Sequence, residues 1–241
     1  MAVGAVLFSS TQLLPQLLQT DFGYTATISG LALMPGGIAM LLVMPGTAIG
    51  MRLAQPKYVM AVGTLILSAA LWHMTSLPPD ASFNFFVRAR VFQMVGLPLL
   101  FVPINTASYS NLPPEKTNQA SALINVARNV GGSIGVSLAA TEVARRSQFH
   151  QLRLTDHLVP SSVPYQEALQ RAAAHLTAAG TSQADAQQQA VGIVGQSVQL
   201  QASLLSYVDV FFAFAILAMI MIPLALFILK TPPPAPRASR S

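Results

Sequence analysis

Six long apolar stretches, 2–20, 28–50, 57–77, 83–109, 118–144 and 203–229, fill nearly all of this chain outside one polar segment. Each reaches or approaches the roughly 20 residues needed to cross a hydrocarbon core about 30 Å thick. Within lipid, every backbone N–H and C=O must find its partner inside the segment, so these stretches predict helices and not strands. The fold class is therefore all-α integral membrane, with five helices in residues 1–146 and a sixth in residues 201–230.

The polar interruption, residues 147–200, carries a helical pattern of its own. Pro164 and Glu167 mark a start, Ala168, Leu169, Ala172, Ala173 and Leu176 recur at helical spacing, and Gly180 ends the run. Ser182 with Asp185 resembles a capping box opening a second helix toward residue 203. This loop reads either as a solvated helical hairpin or as a docking surface for another protein. The Pro-rich tail, 231–241, has the composition of a disordered segment.

Composition sharpens this picture. Hydrophobic residues make up 53% of the chain and charged residues 9%, against about 25% charged in a soluble domain. The net charge of +5 is spread over loops and helix ends and forms no basic stripe, so nucleic acid is not an expected partner. With no cysteine, disulfides, thiolate metal sites and a cysteine nucleophile are excluded. No cleavable signal peptide is evident.

Loop charges set the orientation. Arg52, Lys57, Lys116, Lys230, Arg237 and Arg240 fall on one side, whereas the short loops near 20–27 and 78–82 hold only Asp21 and Asp80. The positive-inside bias puts both termini in the cytoplasm and residues 147–200 outside. Arg145 and Arg146 argue the other way, but they open a loop of more than fifty residues.

Polar residues inside the helices are the best guide to mechanism, because lipid burial of such groups is costly. Ser9, Gln12, Gln16 and Gln19 fall within about 80° of one another on a helical period. Ser121, Asn125, Arg128, Gly132, Gly135 and Ala139 share a similarly narrow face of the fifth helix. Arg128 lies roughly 15 Å deep by helical rise, near the midplane. It is either a hydrogen-bonding clamp between helices or a direct participant in ion or substrate movement. Gln93, Asn105 and Asn125 could line a cavity or join helices to one another.

Gly46 with Gly50, and Gly131 with Gly135, form small-xxx-small pairs that let neighbouring backbones approach; Gly132 lies on the same face as Gly135. Pro35, Pro45, Pro98, Pro103 and Pro223 lie within apolar helices, where neighbouring helices or water meet the freed carbonyls. Gly131-Gly132-Ser133-Ile134-Gly135 matches the G-x-S-x-G pattern of serine hydrolases. It sits mid-helix, however, and the last apolar helix contains no histidine to act as base. No catalytic residue, metal site or cofactor is expected.

Several runs together resemble a known family. They are Phe101-Val102-Pro103-Ile104-Asn105-Thr106, Leu112-Pro113-Pro114-Glu115, Ala120-Ser121-Ala122-Leu123 and the stretch from Asn125 to Gly135. With Leu13-Leu14-Pro15-Gln16-Leu17-Leu18-Gln19 before them and Tyr207-Val208-Asp209-Val210-Phe211 after, they resemble the C-terminal half of the fourteen-helix drug:proton antiporters of the major facilitator superfamily, the EmrB/QacA type.

That resemblance implies a six-helix bundle in the bacterial inner membrane, working with an N-terminal half to couple efflux of lipophilic compounds to proton entry by alternating access. It implies the lipid bilayer, protons and lipophilic substrates as partners, with a periplasmic adaptor protein as candidate occupant of the outer loop. The segment from Gly46 to Lys57 resembles a degenerate cytoplasmic gating motif in which Gly50, Arg52 and Lys57 remain and the aspartate is absent. Only six helices are accounted for, so the chain is expected to be a fragment or truncated product. The alternative is a membrane protein without transport activity, acting as remnant or assembly partner.

Overall fold

The structure, a computed structural model, describes residues 2–109, 117–156 and 162–228. The tail expected to be disordered, the Leu112–Glu115 run and Lys116 lie outside the described residues. The described residues form seven helices: α1 (Ala2–Thr20), α2 (Ala26–Leu53), α3 (Pro56–Met74), α4 (Phe83–Tyr109), α5 (Thr117–Asp156), α6 (Val163–Ala178) and α7 (Gln183–Ile228). Among the described residues no strand occurs.

Local chemistry explains where the helices start and stop. The Thr25 hydroxyl accepts a hydrogen bond from the Ile28 N–H at 3.3 Å, capping α2. Pro56 opens α3, where its missing N–H costs nothing. Gly23 and Gly180 turn the chain with φ of 65° and 96°, a region that favours glycine. At the start of α7, Ser182 Oγ accepts from the Asp185 N–H at 3.2 Å and donates to its carboxylate at 2.6 Å.

Among the described residues, four helical segments are long and apolar enough to cross a membrane: Ala26–Leu53, Pro56–Met74, Phe83–Thr106 and Gln183–Pro223. The helices α1 and α5 fall short of that measure, because glutamines on one and small polar residues on the other dilute the apolar content. Yet one side of α1 is well enclosed. Val6, Leu13, Leu14, Leu17 and Leu18 are all buried, and they join Leu71, Phe86, Leu100, Tyr207 and Phe211 in one core.

The outer face of the molecule is the inverse of a soluble protein's. Leu41, Leu42, Leu53, Leu65, Leu123 and Leu138 are all exposed, as expected where the surrounding solvent is lipid or another membrane segment. The chief packed pairs are α3 with α4, α2 with α4, α3 with α7, α5 with α7, α1 with α5, and α6 with α7. Glycines set the tightest of these crossings. A Cβ on Gly63 would lie 2.9 Å from the Gly96 carbonyl oxygen, and one on Gly96 would lie 2.9 Å from that of Gly63.

The extramembrane portion differs from the expected separate loop. The fifth helix does not stop near residue 146; it continues to Asp156. The sixth apolar span is not a separate helix from residue 201 either. It is the latter part of α7, a single helix of 46 residues. The capping box at Ser182 starts this helix, and no proline interrupts it before Pro223. Between the two, α6 folds back along the first turns of α7.

Candidate functional site

Two arginines are held at membrane depth by neutral polar partners. Arg128 on α5 donates to the Asn105 side-chain oxygen on α4 at 3.2 Å. Its guanidinium lies over the Phe101 ring, 4.7 Å from the centroid, a favourable arrangement of cation and π face. Gly4 lets α1 pass close by, since a Cβ there would sit 2.9 Å from the Arg128 carbonyl oxygen. Asn125, one turn earlier, is exposed.

The second arginine, Arg90, went unremarked in the sequence, although an arginine three residues before Gln93 on one apolar helix was a readable signal. It is only 7% exposed. Its Nη1 donates to Gln93 Oε1 at 2.8 Å and to the Thr11 hydroxyl at 3.4 Å. Gln93 in turn donates through Nε2 to Ser10 Oγ, and Ser10 donates to the Leu7 carbonyl at 3.1 Å. The Nε of Arg90 is buried and has no hydrogen-bond partner. Gly36 on α2 makes room for the arginine stem, since a Cβ there would fall 2.7 Å from Arg90 Cγ. Gln93 is thus part of a buried bridge between α1 and α4, with a cavity of only about 10 Å³ beside it, roughly the volume of one water probe.

The remaining expected positions separate into distinct environments. Gln12 and Gln16 are exposed on α1, as is Gln19, which bonds back to the Pro15 carbonyl at 3.2 Å. Ser9 of the same stripe is instead fully buried, and its hydroxyl lacks a partner. Gly131, Gly132 and Gly135 are buried. A Cβ on Gly132 would meet the Phe8 ring at 2.6 Å, and one on Gly135 would meet Ala5 Cα at 2.5 Å. Gly46 and Gly50 face open space, with nothing within 4 Å of an added Cβ, so the described part of this chain offers that pair no helix to pack against. Arg52 is exposed, and the Lys57 ammonium lies 5.1 Å from the Tyr58 ring centre.

Ser133 is exposed on α5, in a groove of about 470 Å³ lined by Phe8, Asn129, Gly132, Val136 and Ser137. No histidine lines that groove, so the G-x-S-x-G match has no base beside it there. Among the described residues, no group of three or more His, Asp or Glu side chains could hold a metal ion.

A further set of charged and polar contacts ties α5 and α1 to α7. His150 lies 2.8 Å from the Asp209 carboxylate and Arg146 lies 3.6 Å from it, tying the extension of α5 to α7. Ser203 donates to Asp21 at 2.8 Å, tying the end of α1 to the same helix. Burial raises the Asp21 carboxyl above its ordinary range, and hydrogen bonds from Ser203 and Thr20 oppose that rise.

Comparison with known proteins places this arrangement. Residues 1–136 match the model of the Major Facilitator Superfamily. The fatty acid resistance protein FarB of Neisseria gonorrhoeae is 29% identical over 229 residues, covering 92% of this chain and 43% of that protein. The multidrug export protein EmrB of Escherichia coli K12 is 30% identical over 223 residues, covering 91% of this chain and 42% of that protein. The lincomycin resistance protein LmrB of Bacillus subtilis is 26% identical over 159 residues, covering 66% and 33% respectively. The chain spans less than half the length of each of these three relatives. An all-helical bundle with lipid-facing apolar surfaces and a matching superfamily model over more than half its length, this chain belongs to the major facilitator superfamily and is similar to its EmrB-type multidrug exporters.

Proposed function

We propose that this chain is the C-terminal six-span half of a proton-coupled exporter of lipophilic compounds. In this reading α1 to α5 and the latter part of α7 cross the inner membrane, both termini are cytoplasmic, and residues 147–200 lie outside. The observation that carries it is superfamily membership together with relatives named for multidrug export and fatty acid resistance. Gln12, Gln16, Asn105, Asn125 and Arg128 then belong to the substrate or ion pathway, Gln93 to its supporting wall, and Gly50, Arg52 and Lys57 to a cytoplasmic gating segment. The catalytic event is a change of access and not a covalent reaction, so Ser133→Ala in the complete exporter should leave efflux nearly intact. Measured dye efflux from cells carrying that variant should match the parent; loss of efflux with normal expression would instead give Ser133 a direct role.

Orientation is directly testable because the chain has no cysteine of its own. Single cysteines at Leu53, Lys116 and His175 should react differently with an impermeant thiol reagent on intact cells. Only the His175 position should label; labelling at 53 or 116 but not at 175 would reverse the topology. Transport itself is tested by co-expressing this chain with the N-terminal half of an EmrB-type relative and measuring energised efflux, with the chain alone as control.

A second reading has a specific observation behind it. The chain spans only 42% of the E. coli exporter, which suits a membrane protein that assembles with others without transporting alone. Proton-coupled efflux by the purified chain in liposomes would remove that reading.

A further inference from the structure

At the end of α1, Asp21 meets α7 through a hydroxyl and not through a cation. Ser203 Oγ donates to Asp21 Oδ2 at 2.8 Å, and among the described residues Asp21 forms no ion pair. The charged groups of the elements around it are engaged elsewhere or exposed. On α5, Arg146 and His150 take Asp209, and Arg145 takes Glu142. On α4, Arg90 bonds to Gln93 and Thr11, and Arg88 is exposed. Residues 26–51 of α2 carry no ionisable side chain. Tyr24 in the same turn and buried Tyr207, one turn beyond Ser203, are the remaining ionisable groups, and neither adds positive charge.

The backbone around this carboxyl is tied down. The Asp21 N–H bonds to the Leu17 carbonyl at 3.0 Å and the Tyr24 N–H to that of Leu18 at 2.9 Å, with Gly23 completing the turn at a φ of 65°. Phe22 packs edge-on against Phe86 of α4, their ring centroids 4.9 Å apart. Solvating the carboxylate fully therefore means parting the end of α1 from α7, not bending a loose loop. Half-buried, with hydroxyls and no cation as partners, the site favours a neutral carboxyl. Burial lifts Asp21 above its ordinary range by more than the Ser203 hydrogen bond lowers it.

We propose that Asp21 is a proton-binding site, and that its neutral carboxyl, hydrogen-bonded to Ser203, is the form that holds the end of α1 against α7. By linkage, a buried form that keeps its proton more tightly than a solvated aspartate is itself favoured by protonation. The contact is firm below the ordinary aspartate value of about 3.9 and loosens as pH rises through the titration of the buried carboxyl. Ser203 remains a donor in both states, but the charge left by the departing proton has no cation to meet it and draws in water. Transport is not needed for this contact to respond to pH, so it stands apart from the export reading.

Side-chain carboxyl carbon NMR of the purified full chain in nanodiscs, labelled at aspartate, follows the titration, with Asp21→Asn identifying the resonance. Asp21 should titrate above the ordinary value of about 3.9. Ser203→Ala should raise its midpoint further, because the donor that favours the carboxylate is gone. A midpoint at or below the ordinary value, or one that Ser203→Ala leaves unmoved, overturns the proposal. The contact itself is read by the distance between spin labels at Gln19→Cys and Gln201→Cys, both exposed positions in a chain with no cysteine of its own. That distance should lengthen as pH rises through the measured midpoint. It should stay short at every pH in Asp21→Asn, whose amide is a neutral stand-in for the protonated acid. An unchanging distance in the parent, or an Asp21→Asn chain that follows the parent's pH response, leaves Asp21 a passive hydrogen-bond acceptor and overturns the proposal. Neither measurement involves turnover, so failure of efflux in the reconstituted exporter would count against the export reading alone.

Discussion

Leucine at Gly135 is expected to lower the stability of the bundle by at least about 1–3 kcal/mol, the range for overpacking a well-filled interior. The estimate is a floor because even a methyl group at Gly135 would lie 2.5 Å from Ala5 Cα and 2.9 Å from the Ala5 carbonyl oxygen. The obstacle is backbone, which has no rotamer to change, so α1 and α5 must separate along their length. Gly132→Leu should be milder, since the atoms in its way belong to the Phe8 ring, and Phe8 is exposed enough to swing aside. Gly46→Leu should be near neutral in the isolated chain, because that position faces open space. Thermal unfolding of the purified chain in detergent ranks the three. A Gly135→Leu protein melting with the parent would mean that α1 and α5 do not cross here.

Arg128→Gln should leave membrane insertion intact and abolish or shift the pH dependence of efflux in the complete exporter. Glutamine retains a donor for Asn105 but loses the charge over Phe101. A guanidinium cannot carry the exchanged proton itself. In the export reading it acts on a carboxylate beside it, holding that group's pKa down by about 1–3 units. Among the described residues, the acids nearest the spans are Glu142, paired with Arg145 at 3.1 Å, Asp209, paired with His150 and Arg146, and Asp21, which accepts from Ser203, and none of them pairs with Arg128. Under the proposed function that carboxylate belongs to the N-terminal half. With the positive charge removed, that acid keeps its proton to higher pH, so the efflux profile should move toward alkaline values by a similar amount. Efflux measured against pH in everted vesicles reads this shift. Parental efflux with an unaltered profile would leave Arg128 as a hydrogen-bonded clamp between α4 and α5.

The helices were legible because the bilayer leaves the chain few choices: a long apolar run with satisfied backbone groups must be helical. Ser182 and Asp185 were equally legible, since a capping box is a local pattern that forms in the structure with two hydrogen bonds. What the sequence concealed was long-range. Nothing local distinguishes Gly46, which faces open space, from Gly135, which meets a helix more than 120 residues away; the partner helix decides, and its position follows from the whole packing. Ser9 and Gln12 sat on one predicted polar stripe, yet one is buried and the other exposed, because neighbouring helices cover only part of that face. Arg90 was hidden differently. Arg128 stands out as the one charge on a face of the fifth helix shared with Ser121, Asn125 and the glycines, whereas Arg90 lies near a helix end beside Arg88, where two arginines pass as a topology signal.

The unbroken course of α7 has a mechanical consequence. Its first portion, residues 183–202, runs about 30 Å ahead of the segment beginning at Ser203, and a tilt of about 10° at that boundary carries its tip about 5 Å. A jointed loop would absorb such a rotation within its own bends. A continuous helix braced by α6, and fastened at its base through Asp209 and Ser203, transmits it as displacement, so the α6–α7 hairpin serves as a pointer whose position reports the tilt of the bundle beside it.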